Sequence, residues 1–146
     1  MADTSAQLTV EDWVRREWMR AQYGQPCSRE RVRLTPGGVF DFDAVSADHR
    51  IVAVISTSGY KTATGRSGSG KMHKIRSDIY FLLLTEVERK LVLLTEQDMY
   101  AQWEKEVEKG RVPDSVEFVR VEIPEDLNRQ LRDSRRAASR EVTPEG

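Results

Sequence analysis

Two periods of apolar and polar residues alternate along this chain, and the points where one gives way to the other mark its elements. Val10, Val14, Trp18 and Ala21 recur at helical spacing while Arg15, Arg16 and Arg20 face away, which predicts an amphipathic helix over about Val10 to Tyr23. Thr9 with Asp12 reads as its capping box, and Gly24 and Pro26 close it. Trp13 and Trp18 read as core packing. Val32 and Leu34 then alternate with arginines, Pro36-Gly37-Gly38 makes a turn, and Val39 to Ser46 alternates apolar with polar residues. After a second turn the run Ile51 to Ile55 is continuously apolar, as in a strand buried on both faces. Three closely spaced strands predict a meander.

The segment Ser58 to Gly70 is rich in Gly, Ser and Thr and reads as a loop. Beyond it, Ile75, Ile79, Leu82 and Leu83 have helical spacing, although a hairpin turning at Val87-Glu88 also fits residues 75–95; the helix is the preferred reading. A fourth strand follows over Lys90 to Leu94. Thr95 with Asp98 would cap a helix carrying Met99, Trp103 and Val107 up to Gly110. Val116 to Ile123 alternates as a fifth strand, and Pro124 suits the first turn of a last helix. The expected fold is α/β, a mixed central sheet flanked by helices, in the order α-β-β-β-α-β-α-β-α. One domain over 1–138 and a disordered polar tail over 139–146 complete the expectation.

Composition adds bounds. A length of 146 residues suits a single domain, and 38% apolar with 32% charged residues is the balance of a soluble globular protein. Cys27 is the single cysteine, so no intrachain disulfide forms, which points to a reducing, cytoplasmic setting. The start of the chain lacks a basic-then-apolar signal pattern, and the longest apolar run, Ile79 to Leu84, is too short to cross a bilayer, so no membrane association is expected.

The net charge of −1 hides an uneven distribution. No acid occurs between Asp48 and Asp78, whereas Arg50, Lys61, Arg66, Lys71, Lys74 and Arg76 do, and such a lobe attracts phosphate oxygens. Within it, "TGRSGSGKMH" falls one residue short of a phosphate loop: Gly65, Gly70 and Lys71 are in place, but Met72 stands where a hydroxyl should ligate magnesium. A thioether is a poor ligand for so hard a cation. Leu93-Leu94-Thr95 offers no acid where the second motif of a nucleotide hydrolase would lie, and nucleotide hydrolysis is set aside. His49 and His73 have no second His or Cys at ligand spacing, so zinc is not expected. Arg129, Arg132, Arg136 and Arg140 share a face of the last helix, with Asp126, Asp133 and Glu141 interspersed as on a solvated surface.

The order helix, strand meander, helix, strand, together with the stretch "GGVFDFDAVSADHRIVAVISTS", resembles the active-site hairpin of the restriction-endonuclease-like superfamily, the PD-(D/E)XK nucleases. The likeness covers about Val10 to Leu94. It implies a metal-binding Asp on the second strand and a Glu and a Lys one residue apart on the third, converging on magnesium that activates a water against a phosphodiester. Asp43 matches the Asp, with Asp41 on the same strand face as a second metal ligand. On the third strand, Val54 and Ser56 occupy the positions of the acid and the lysine. The resemblance therefore implies one of two states. In a migrated site, Glu17 of the first helix and Lys71 or Lys74 of the next would join Asp43. In a pseudo-nuclease, the nucleic-acid surface survives without chemistry or magnesium. Either way the implied partner is nucleic acid, chiefly DNA, contacted by Lys61, Arg66, Lys71, Lys74 and Arg76. A different class remains open, a non-catalytic adaptor contacting a larger protein assembly.

Overall fold

A computed structural model describes residues 4–61 and 68–142. Helix α1 (Ser5–Trp13) runs into a π-helical turn (Val14–Trp18) and continues as α2 (Met19–Tyr23), which ends at Gly24 with a left-handed φ of 71°. Strands β1 (Cys27–Arg33), β2 (Val39–Ser46) and β3 (Ile51–Ser56) follow, then α3 (Ser69–Leu83), β4 (Arg89–Leu94), α4 (Gln97–Glu108), β5 (Val116–Arg120) and α5 (Glu125–Val142). The expected element order is the observed one, and of the two readings of residues 75–95 the molecule adopts helix then strand.

The five strands lie in the order β1-β2-β3-β4-β5. The first two pairings are antiparallel and the last two parallel, so β2 alone runs against the rest. Hairpins join the meander, while helical crossovers carry the chain between the parallel strands. β3 and β4 are central and covered on both faces. That is why "IVAVI" and "LVLL" read as continuous apolar runs: Ile51, Ala53 and Ile55 enter the core under α1, α2 and α5, and Val52 and Val54 the core under α3 and α4. Trp103 of α4 anchors the second core, only 1% exposed and stacked on Phe118 of β5 with ring centroids 5.2 Å apart.

The ends of the elements differ from expectation where tertiary contacts outweigh local preference. The first helix starts at Ser5, so Thr9 lies inside it and donates to the Ser5 carbonyl at 2.9 Å instead of capping. The π turn adds a residue to one helical turn, and the buried positions step Val10, Val14, Met19; Ala21 is exposed as a result. At α4 the N-cap is Glu96 without a side-chain cap, because the Thr95 hydroxyl donates to Glu96 Oε2 and the Asp98 carboxylate accepts from the Lys61 amide. Val107 of α4 is exposed and Glu106 is buried in its place, held by Arg76 at 2.7 Å and Arg111 at 3.4 Å. β5 stops at Arg120, and the Pro124 carbonyl accepts from the Asn128 amide as α5 begins. α5 continues to Val142, into the stretch expected as tail, and 143–146 lie outside the described residues. Among the described residues no helix is long and apolar enough to cross a membrane.

Candidate functional site

The β2–β3 hairpin is fixed at its turn by Asp48. Its carboxylate accepts from the Ser46 hydroxyl at 2.7 Å, from the Arg50 amide at 3.0 Å and from the Gln25 side chain at 3.1 Å. These bonds, the Ser46 hydroxyl first, hold its pKa down at about 2. His49 beside it takes φ of 60°, the left-handed conformation the turn requires.

At the other end the hairpin opens. Between the pairs Ser28↔Val45 and Glu30↔Phe42, Arg29 of β1 faces both Asp43 and Ala44 of β2, a β-bulge with the extra residue on β2. The β2–β3 ladder holds only at Ala44↔Ala53 and Val45↔Val52. Where it stops, Asp43 Oδ2 accepts from the Ile55 amide at 2.8 Å, so a side chain takes over a bond that the strand no longer supplies. On the far side, Arg15 of the π turn donates to the Asp43 carbonyl at 3.0 Å.

Two clefts meet at this bulge. The smaller, about 170 Å³, is lined by Gln7 and Glu11 of α1, Asp43, the β3 end at Ser56, and Lys71, Lys74 and Asp78 of α3, among others. The larger, about 660 Å³, is bounded by Arg29 and Arg31 of β1, Phe40, Asp41, Asp43 and, across the opening, Lys74 and Asp78. Lys74 bonds Asp78 at 3.3 Å. Burial, with Asp43 next, raises the pKa of Glu11, and burial raises that of Asp78 although Lys74 opposes it. Burial and the neighbouring Arg135 lower that of Lys71. Arg135 of α5 is held by Glu96 at 2.8 Å and by the Thr57 carbonyl, which brings a second cation to the same end of the sheet.

The structure brings Asp43, Lys71 and Lys74 together. Glu17 is exposed on the π turn and lines neither cleft; the acid that α1 supplies is Glu11, one helical turn before Arg15. A sequence signal for it existed, since Gln7, Glu11 and Arg15 share a helix face. Asp41 is exposed and pairs with Arg31 at 3.4 Å. Arg76 turns away to Glu106 and lies over the Trp103 ring at 5.4 Å, and the Lys61 backbone is engaged by Asp98. Arg66 lies outside the described residues.

The glycine-rich approach to α3 has a packing reason. A Cβ at Gly68 would collide with the Tyr60 backbone, so the chain closes there only with glycine. Met72, which breaks the phosphate-loop pattern, is 8% exposed in the core beneath α3.

Among the described residues no three His, Cys, Asp or Glu side chains converge to hold a metal ion. Asp43 spends one oxygen on the Ile55 amide and Asp78 is paired with Lys74. This donor set does not fit the magnesium site that the resemblance implies. The arrangement sets Lys71 and Lys74 among the carboxyl groups of Glu11, Asp43 and Asp78 around an open cleft, a mixed set of charged donors and acceptors. No family model matches this chain, and no curated protein or solved structure matches it.

Proposed function

We propose that this protein is a nucleic-acid-binding domain on a restriction-endonuclease-like scaffold, a pseudo-nuclease that grips the phosphodiester backbone at the cleft beside Asp43 without magnesium-dependent cleavage. The observation that carries this reading is the meeting of α3 cations with the β2 bulge: Lys71 and Lys74 reach the same cleft as Asp43, and Arg29 and Arg31 border the adjoining one. The order of helix, three strands, helix and strand agrees with the core order of that superfamily. Val54, 4% exposed in the core, and Ser56 stand where the acid and the lysine of the nucleases would be, which supports loss of the chemistry. In this reading Asp43 is a structural residue. Its carboxylate holds the strand opening in shape, while the lysines and arginines contact phosphates and exchange their counterions for the polynucleotide.

The test is a fluorescence-anisotropy series with labelled single-stranded and duplex DNA and RNA across a salt range, run beside plasmid incubation with Mg²⁺, Mn²⁺ or EDTA. Salt-sensitive binding without metal-dependent cutting is the expected result. Metal-dependent cutting that disappears in Asp43→Ala would replace the pseudo-nuclease by an active enzyme. Retention of no nucleic acid would overturn the reading and favour an adaptor that binds protein.

A further inference from the structure

Resting on the nucleic-acid reading above, we propose that the outer face of β1 is the track for a single-stranded polynucleotide, with Arg29, Arg31 and Arg33 taking successive phosphates. Among the described residues β1 is an edge strand, paired only with β2. Successive side chains of a strand alternate between its faces, so these residues share one face, spaced by about 6.7 Å at twice the rise of an extended chain. The bulge does not interrupt the row, because its extra residue lies on β2.

Cys27, the next position of the same parity, is buried under the N-terminal helices, but from Arg29 outward all three arginines are exposed. Arg29 and Arg33 form no ion pair among the described residues; Arg31 shares an exposed contact with Asp41, the kind that solvent screens.

Geometry selects a single strand over a duplex. Three guanidinium groups in a nearly straight line match an extended backbone, whereas the phosphates of a duplex strand turn away around the helix axis.

The experiment compares wild type with Arg29→Gln/Arg31→Gln/Arg33→Gln, and with Arg29→Glu/Arg33→Glu, which leaves the Arg31–Asp41 contact in place. The probes are labelled oligo-dT, oligo-U and a DNA duplex, with circular dichroism confirming each variant is folded. Wild type is expected to prefer the single strands. The triple variant is expected to bind them at least tenfold more weakly, with a salt slope shallower by about 2, since each phosphate contact on a single strand contributes about 0.7. The oligo-dT and oligo-U arms show whether the track takes DNA, RNA or both. Wild-type binding that both variants retain with unchanged slope would overturn the track and leave the Lys71–Lys74 cleft as the binding site. Preference for the duplex would equally overturn it. Absence of any wild-type binding would overturn both this inference and the reading beneath it.

Discussion

Arg15 donates to the main-chain carbonyl of Asp43 at 3.0 Å, so that the π turn of the N-terminal helix is tied to the bulge of β2. Two interruptions of regular structure thus support each other. The π turn sets the position of Arg15, and the bulge presents the Asp43 carbonyl to it. The result is an opening in the sheet with fixed edges, and the clefts lie on either side of it.

Arg15→Met keeps the aliphatic stem but removes the donor. The Asp43 carbonyl, in a part-buried setting, then loses this charged donor, and a loss of about 1–3 kcal/mol is expected from urea denaturation at neutral pH. A midpoint unchanged from wild type would mean that the bulge stands without the helix.

Asp43 is expected to divide by substitution. Asp43→Ala deletes the acceptor of the Ile55 amide and should cost about 1–3 kcal/mol in the same measurement, whereas Asp43→Asn retains an oxygen and should lose less. Equal losses in the two variants would show that the charge, and not the hydrogen bond, holds β2 to β3 there.

Glu11 sits half-buried near Asp43, and its pKa is raised above the ordinary 4.5. A carboxyl whose folded pKa exceeds its unfolded value binds its proton more tightly in the folded state, so it favours folding least where it is fully ionised. Stability associated with Glu11 therefore falls as pH rises from about the model-peptide value of 4.3 through the folded value. Glu11→Gln should raise Tm at pH 7, with the gain shrinking as pH falls through the raised folded pKa toward the ordinary 4.5. Scanning calorimetry at several pH values checks this; a gain that is the same at pH 3.5 and pH 7 would remove the electrostatic explanation.

Much of this could be seen in the chain itself, and the boundary is physical. The strand and helix order was legible because "IVAVI", "RKLVLL" and the alternation of Val39 to Ser46 are set by burial, which acts on every residue of an element. The cleft was legible only in part. Asp43, Lys71 and Lys74 stood out by charge and position, but the bulge depends on how many residues β1 sets against β2, and no local pattern carries that count. The choice of Glu11 over Glu17 depends on where the π turn falls, a matter of tertiary packing. Thr9 and Thr95 look like caps because their sequence context is right; each found a partner elsewhere.

Lys71→Ala with Lys74→Ala is expected to weaken nucleic-acid binding and to make its salt slope shallower by about 1.4, twice the single-strand contribution of one phosphate. The double variant also breaks the 3.3 Å contact with Asp78, whose burial already disfavours its charge, so Asp78→Asn serves as a stability control. If affinity and slope both match wild type, the cleft is not in contact with phosphates.

Among the described residues β1 has one row of backbone donors and acceptors without a strand beside it, and such a row is a template for adding another chain. Arg29, Arg31 and Arg33 set like charges against any second copy approaching that edge. This guard is electrostatic and therefore weakens as the screening length shortens, to about 3 Å at 1 M salt. Light scattering should then show self-association that grows with ionic strength, the opposite of the trend for polyanion binding. The same arginines would make the protein most soluble under the conditions in which it holds a polyanion best.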